Sequence, residues 1–171
     1  MEKGYIHIYT GNGKGKTTAA FGLAIRAALS GKKVFIGQFV KDMKYNETKI
    51  EKYLDNIEIK QLGRGCFIYE NPENVDKEIA KKGLIECGIL LSSGDYDLII
   101  LDEINIALYY KLFEVSDVIE VLNNRSEKTE VVLTGRYAPK ELIEMADLVT
   151  EMVEVKHYYT QGILSRSGID F

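Results

Sequence analysis

The sequence contains few residues that could form a disulfide scaffold or a metal cluster. It has two cysteines, Cys66 and Cys87, which lie far apart without CxxC spacing, and two histidines, His7 and His157. Two cysteines cannot supply the four thiolates of an all-cysteine zinc site, and small disulfide-dependent folds use several pairs. The fold must therefore be stabilised by an ordinary hydrophobic core.

Long apolar runs and an excess of positive charge are also missing. The longest apolar runs, such as residues 98–101, are far too short to cross a bilayer, and the N-terminus has no signal-peptide pattern. We therefore expect a cytoplasmic protein without a membrane partner. The 22 basic residues face 26 acidic ones, for a net charge of −4, so nucleic acid is not expected as the main partner.

The 171 residues do contain a regular alternation of strand and helix patterns. Strands are predicted at residues 5–9, 33–40, 57–62, 97–102, 130–134 and 148–155. Helices are predicted at residues 19–29, from Asn71 or Asn74 to about 92, around Leu108 and Leu112, at 116–123, and after Pro139. Residues 41–52 favour a surface loop or short helix, and residues 156–171 a hairpin-like tail. The alternation predicts one α/β domain over residues 1–171, with a mostly parallel sheet covered by helices on both faces.

The segment between the first strand and the first helix carries the strongest functional signal. It consists of Thr10, Gly11, Asn12, Gly13, Lys14, Gly15, Lys16, Thr17 and Thr18. Glycines let the backbone turn its N–H groups inward, and together with the helix N-terminus these donors form a positive hollow for a polyphosphate. Lys16 adds a positive charge, and the Thr17 hydroxyl is placed to bind Mg²⁺ or Mn²⁺. The usual pattern, G-x-x-x-x-G-K-[S/T], has glycine where this chain has Thr10, which predicts a shortened loop and an unusual nucleotide pose.

A later strand supplies the carboxylates that such a loop requires. Apolar residues 98–101 lead directly into Asp102 and Glu103, which we expect to face the loop and to reach a metal ion directly or through water. A solvated strand edge or a helix cap is the structural alternative. Arg136 follows the next strand and either reaches phosphate oxygens or forms a structural ion pair. Together these features predict a P-loop nucleoside-triphosphatase-like (RecA-like) fold.

At these positions the sequence resembles the P-loop ATP:corrinoid adenosyltransferases, which make adenosylcobalamin. The resemblance covers nearly the whole chain, and its most specific blocks are residues 10–22 and 168–171. Further blocks are residues 38–41, 101–103, 134–136, 146–151 and 156–157. The threonine at position 10 is itself a feature of that family.

The resemblance implies a reaction in which the 5′-deoxyadenosyl group of ATP is transferred to the Co(I) of a corrinoid and tripolyphosphate is released, in synthesis or salvage. It also implies that ATP lies in the reverse sense to ordinary P-loop enzymes, so that the ribose faces the cobalt. Lys16, the loop amides and a metal ion on Thr17 and Glu103 would then stabilise the leaving group. The implied partners are a reduced flavoprotein and a second copy of the chain in a homodimer.

Family members displace the lower axial ligand of cobalt with aromatic side chains from a Gly-Phe-x-Trp-type segment. The aligned residues are Phe67 and Tyr69, with tyrosine in the place of tryptophan and Cys66 inserted after Gly65. Loss of an axial donor tunes the cobalt potential towards easier reduction. Packing of the two aromatics onto the core is the alternative. Some relatives also carry a helical extension before the first strand, and its absence here predicts closure by other residues or a more open site.

Two other functions are compatible with a phosphate-binding loop. A small-molecule kinase or ATPase usually pairs the loop with an arginine-rich lid, whereas the five arginines here are scattered. A non-catalytic guanine-nucleotide switch would carry an Asn-Lys-x-Asp element, which residues 123–126 do not supply. Adenosyl transfer is therefore the preferred prediction.

Overall fold

The computed structural model describes residues 3–41, 45–64 and 72–170. Six strands alternate with helices along this part of the chain. The strands are β1 (Ile6–Thr10), β2 (Val34–Phe39), β3 (Ile57–Leu62), β4 (Leu98–Asp102), β5 (Glu130–Thr134) and β6 (Leu148–Glu151). The helices are α1 (Lys16–Leu29), α2 (Asn74–Ser93), α3 (Ile104–Tyr109), α4 (Val115–Asn123) and α5 (Lys140–Met145). Two 3₁₀ helices cover Asn46–Lys52 and Tyr158–Gln161.

The six strands form one sheet in the order β3-β2-β4-β5-β1-β6, and every neighbouring pair is parallel. The central strands β2 and β4 are buried along their whole length, whereas the edge strand β6 is exposed throughout. A parallel sheet requires cover on both faces, which explains the near-continuous apolar sequences of its central strands. The predicted α/β class is confirmed.

Helices cover both faces of the sheet, as predicted. On one face, α1 packs its alanines and Phe21 onto side chains of β2, β3 and β4. On the other face, α2, α3, α4 and α5 bury a larger cluster that includes Phe35, Phe39 and Leu101. The segment after β1 therefore enters a helix on one face, while the segments after β4 and β5 enter helices on the opposite face. Such a divergence opens a crevice at the carboxyl edge of a sheet, which is where ligands bind in folds of this kind.

Several predicted boundaries differ from the structure. Helix α1 begins at Lys16 rather than residue 19, because the phosphate-loop pattern itself includes the first helical turn. Helix α2 is capped by Glu73 and not by an asparagine: the Glu73 side chain accepts from the Asp76 main-chain N–H, and the Asp76 side chain accepts from the Glu73 main-chain N–H. The last strand ends at Glu151. The hairpin-like tail is a wrong prediction: its sequence forms a 3₁₀ helix that Gly162 ends at a φ of 80°, without strand pairing in the tail up to residue 170.

Candidate functional site

The loop between β1 and α1 is held by main-chain atoms against Met152, the residue that follows β6. The Gly13 N–H donates to the Met152 carbonyl at 2.6 Å, and the Met152 N–H donates to the Thr10 carbonyl at 2.9 Å. A Cβ at Gly13 would lie 2.7 Å from the Met152 oxygen, so only glycine fits. Gly15 adopts a φ of 118°, a conformation that favours glycine, immediately before the first helical residue.

Lys16 is buried inside the turn of this loop. Its ammonium group donates to the carbonyl oxygens of Gly11 and Gly13, each at 2.8 Å. Burial lowers the pKa of Lys16, and the charge of Arg136 lowers it further, while the negative charges of Glu103 and Asp102 oppose this shift. The lysine is therefore a partly desolvated cation at the base of the loop, where an anionic ligand interacts more strongly than in water.

Asp102 is fully buried at the end of β4 and accepts hydrogen bonds from four side chains. The donors are Thr17 Oγ1 at 2.9 Å, Thr134 Oγ1 at 2.7 Å, Gln38 Nε2 at 3.1 Å and Lys41 Nζ at 2.9 Å. Burial alone would raise the pKa of Asp102, but the charge of Lys41 and these hydrogen bonds hold it below the ordinary value. A carboxylate has about four acceptor positions, and these four hydrogen bonds, one of which orients the hydroxyl of Thr17, use that number.

Glu103 is half-buried and follows Asp102 in a left-handed conformation, with a φ of 60°. Its N–H donates to Thr134 Oγ1 at 2.9 Å, which fixes the turn between β4 and α3. Burial and the charge of Asp102 raise the pKa of Glu103, and the cations Lys41, Lys16 and Arg136 reduce this rise. Glu103 and Thr17 both line the cavity described below, so they bring a carboxylate and a hydroxyl, the oxygen ligands that Mg²⁺ prefers, to the same site.

The tail crosses the mouth of the loop and contacts Lys14. The Lys14 ammonium donates to the Tyr158 hydroxyl at 3.0 Å, to the Ile169 carbonyl at 3.1 Å and to the Asp170 carboxylate. Arg166 donates its main-chain N–H to the same carboxylate at 2.9 Å, and its guanidinium lies over the Tyr158 ring. The hydrogen bond from Lys14 lowers the pKa of the Tyr158 hydroxyl. Lys14 therefore fastens the tail to the loop.

These elements enclose a cavity of ≈ 690 Å³ at the carboxyl edge of the sheet. Most of the predicted site residues line it: Gly13, Lys14, Gly15, Lys16, Thr17, Thr18, Glu103 and Arg136. Thr10, Gly11 and Asn12 lie outside the lining, and Asp102 lies behind it, in contact with Thr17. Arg136 forms no ion pair with any carboxylate in the described part of the chain. The predicted Phe67 and Tyr69 fall outside the described residues.

The structure brings to the cavity several residues that the sequence patterns did not assign. Lys41 lines it beside Glu103, and its position directly after a buried strand was an available signal, because the carboxyl ends of parallel strands meet at one edge. His157, Ser165 and Asp170 also line the cavity. Nothing in the local sequence of the tail indicates that it returns to the phosphate loop.

The site has the arrangement of a P-loop nucleoside-triphosphate-binding protein. A glycine-rich loop with a lysine leads into a helix, a hydroxyl is bonded to a strand-end carboxylate, and a second carboxylate lies beside them. The family profile described as ATP:corrinoid adenosyltransferase BtuR/CobO/CobP matches residues 2–171. The chain therefore belongs to the ATP:corrinoid adenosyltransferase family, and it is an enzyme of the transferase class.

Curated relatives agree with this assignment over nearly the whole chain. A corrinoid adenosyltransferase of Sinorhizobium sp is 39% identical over 175 residues, covering 99% of this chain and 81% of the relative. One from Escherichia coli strain K12 is 33% identical over 170 residues, covering 99% and 87%. Corrinoid adenosyltransferase CobA of Salmonella typhimurium strain LT2 is 34% identical over 171 residues, covering 99% and 87%. The names of these relatives support neither the kinase nor the switch.

The described residues offer neither a membrane span nor a ready-made metal cluster. Within residues 3–41, 45–64 and 72–170, no helix is long and apolar enough to cross a membrane. The same residues contain no group of three or more histidine, cysteine, aspartate or glutamate side chains arranged to hold a metal ion. A metal ion at Thr17 and Glu103 would therefore need oxygens from a bound phosphate or from water to complete its shell.

Proposed function

We propose that this chain transfers the 5′-deoxyadenosyl group of ATP to the Co(I) of a corrinoid and releases tripolyphosphate. The cobalt supplies the electron pair of the new Co–C bond, while the C5′–O bond breaks with its pair on the leaving phosphate. The observation that carries the proposal is the cavity that joins Lys16, Thr17, Glu103 and Arg136 at the end of the phosphate loop. The proposal treats residues 1–171 as one domain, in line with the single sheet.

The loop residues act on the leaving group. Negative charge on the triphosphate grows as the C5′–O bond breaks, and preorganised positive groups lower the energy of that state more than that of the ground state. Lys16 exchanges its two carbonyl partners for phosphate oxygens, and Thr10, Gly11, Asn12 and Thr18 shape the loop around it. Arg136, without a carboxylate partner among the described residues, is available to the triphosphate. In-line placement of cobalt and C5′ supplies the rest of the rate.

Thr17 and Glu103 would hold Mg²⁺ or Mn²⁺, with Asp102 acting through Thr17. The Thr17 hydroxyl donates a hydrogen bond to Asp102 Oδ1, which leaves the lone pairs of the Thr17 oxygen available to a cation. A bound divalent ion would neutralise phosphate charge during departure of the leaving group. Lys41 already pairs with Asp102, and three cations act on Glu103, so the site would accept a divalent ion best when the triphosphate enters with it.

Phe67 and Tyr69 are proposed to contact the corrinoid and to remove its lower axial ligand. Their support comes from the described residues on either side. Segment 65–71 follows β3, whose carboxyl end lies at the cavity edge of the sheet. Arg64 Nη2 lies 2.6 Å from Glu73 Oε2, so two described residues that flank the segment are in contact. Aromatic residues in a segment that begins at this edge are suited to contact a ligand there.

The remaining expectations from the resemblance belong to the same proposal. A reduced flavoprotein supplies the electron that converts Co(II) to Co(I), the working form is a homodimer in the cytoplasm, and the corrinoid is a small-molecule co-substrate. Sedimentation analysis of the purified chain tests the dimer, and a Co(II) assay with and without a reduced flavoprotein tests the electron donor. A fully active monomer would contradict the proposed homodimer.

The reaction is tested by incubating the protein with ATP, Mg²⁺ and chemically reduced cobalamin and identifying both products. Tripolyphosphate together with adenosylcobalamin supports the proposal. Release of ADP would support the kinase alternative, and unchanged, tightly bound ATP would support the switch. A structure of the nucleotide complex in which the γ-phosphate of ATP points towards the corrinoid would contradict the proposed reverse orientation of ATP.

Lys16→Ala should reduce adenosylation by about 100-fold or more, because preorganised electrostatic groups contribute on that scale. The fold should survive, since among the described residues the ammonium group bonds only to two carbonyls of its own loop. Lys60→Ala is the matched control, because Lys60 pairs with Glu86 on the surface. A near-normal rate of adenosylation by Lys16→Ala in a single-turnover assay would contradict the role of Lys16 in stabilising the leaving group.

A further inference from the structure

Lys41 is a nearly buried cation to which the reaction described above gives no task. Its side chain is 14% exposed, and its Nζ lies 2.9 Å from Oδ2 of Asp102 and 5.6 Å from the ring centroid of Tyr45. It lines the same cavity as Lys16 and Glu103. Because burying a charged group is costly even when it is paired, the position of Lys41 requires an explanation beyond packing.

The backbone before Lys41 is bent in a way that aims it at the cavity. Val40 has a φ of 60°, a left-handed conformation that β-branched residues rarely adopt and that costs free energy. Gly63, directly after β3, permits the bend, because a Cβ at this position would lie 2.6 Å from the main-chain nitrogen of Lys41 and 2.8 Å from the carbonyl carbon of Val40. The left-handed Val40 and the close approach of Gly63 therefore shape one turn. This turn places the Lys41 side chain against Asp102 at the end of β4.

Asp102 does not need Lys41 to satisfy its hydrogen bonds. Three neutral donors, from Thr17, Thr134 and Gln38, already reach its two oxygens. An ammonium group carries three donors, and Asp102 is the one hydrogen-bond acceptor of Lys41 within the described part of the chain. The remaining donors of Lys41 are therefore available at the wall of the cavity.

We infer that Lys41 is a second triphosphate-binding lysine, which keeps one donor on Asp102 and places the others on phosphate oxygens. The inference rests on the proposed function and adds a residue to it. Strands β4 and β5 separate β1 from β2, so Lys16 and Lys41 approach the cavity from different sides. Two cations on different sides of a tripolyphosphate stabilise it more evenly than one as its charge grows.

A double-mutant cycle between Lys41 and Asp102 tests the inference. The variants are Lys41→Met, Asp102→Asn and the double variant, with Lys41→Arg as the charge-retaining form and Lys60→Met as a control for loss of a paired surface lysine. Binding of inorganic tripolyphosphate with Mg²⁺ is measured by calorimetry. We expect Lys41→Met to weaken this binding by about tenfold or more in both the wild-type and the Asp102→Asn backgrounds, because a charge-assisted contact to the ligand is lost. Lys41→Arg should retain most of the affinity.

The Asp102→Asn background also keeps the test informative if Lys41→Met alone leaves a buried carboxylate unpaired and fails to fold. Equal affinities of Asp102→Asn and the double variant would show that Lys41 is only the counter-ion of Asp102, which overturns the inference. The proposed function is assessed separately by product formation in the wild type. Adenosylcobalamin formed by the wild type alongside a cycle without effect would refute the role of Lys41 alone.

Discussion

Two aspartates at this site are held by similar partners at very different depths. Asp102 accepts from Lys41 and from two threonine hydroxyls and is fully buried between strands. Asp170 accepts from Lys14, from a tyrosine hydroxyl and from the main-chain N–H of Arg166, but it lies in the tail, where its side chain is 13% exposed and that of its partner Lys14 is 39% exposed. Similar hydrogen bonds and ion pairs therefore hold an aspartate at the centre of the sheet in one case and in the tail in the other.

The difference separates the charged residues that stabilise the fold from those that hold the tail over the site. The partners of Asp102 come from α1, from β5 and from the end of β2, so the network forms only when the sheet is assembled. Among the described residues, most partners of Asp170 lie within the tail itself, and Lys14 is its partner from outside the tail. Disruption of the first network should affect folding, and disruption of the second should affect access to the cavity.

Asp102→Asn should produce the largest loss of stability, about 3 kcal/mol in the free energy of unfolding, because it leaves Lys41 buried beside a neutral amide. Urea denaturation monitored by circular dichroism measures this loss. Lys60→Met, which breaks an exposed ion pair, is the control and should cost less than about 1 kcal/mol. A similar loss of unfolding free energy in both variants would show that the buried ion pair stabilises the fold no more than an exposed one.

The stability difference between wild type and Asp102→Asn should also depend on pH. The folded-state pKa of Asp102 lies below its ordinary value of 3.8, so its ionised form is stabilised by folding. The difference should be constant above about pH 5, begin to shrink near the unfolded pKa, and disappear as the pH falls through the folded pKa. Denaturation curves from neutral pH down through the unfolded pKa measure this. A difference that grows on acidification would contradict the assigned charge state.

Asp170→Asn should have the smallest effect on stability, less than about 1 kcal/mol, because its ion pair lies in the tail with an exposed partner, Lys14, and pairs that water reaches contribute little. Its effect should also decrease in about 1 M NaCl, since salt screens exposed charges, whereas the effect of Asp102→Asn should persist. The measurement is the same urea titration at low and high salt. A salt-insensitive loss above about 2 kcal/mol would mean that the tail is part of the folding core, contrary to the weak energies of exposed pairs.

Much of the architecture follows from local sequence patterns. The sequence predicts β3 at residues 57–62 and β5 at residues 130–134, and the structure has these bounds, because short β-rich segments flanked by turns specify strands well. The carboxylates Asp102 and Glu103 are found from the apolar strand before them, and Lys16 and Thr17 from the glycine pattern.

Other parts of the site depend on contacts that local patterns do not encode. The contact between Lys14 and Asp170 joins residues 156 positions apart. The saturation of Asp102 depends on Gln38 and Thr134 from neighbouring strands, which sequence spacing does not reveal. The roles of Phe67 and Tyr69 stay predictions, since both lie outside the described residues.

The main-chain bonds between Gly13, Met152 and Thr10 have a consequence for how this enzyme can vary. Because carbonyl and amide groups secure the loop, a change of side chain at position 152 keeps both main-chain bonds, provided that the new side chain fits beside Gly15. Adding or deleting a single residue in β6 would instead carry the wrong peptide group to Gly13. Sequence drift along this exposed edge is therefore tolerable, whereas a change in its length would deform the nucleotide site.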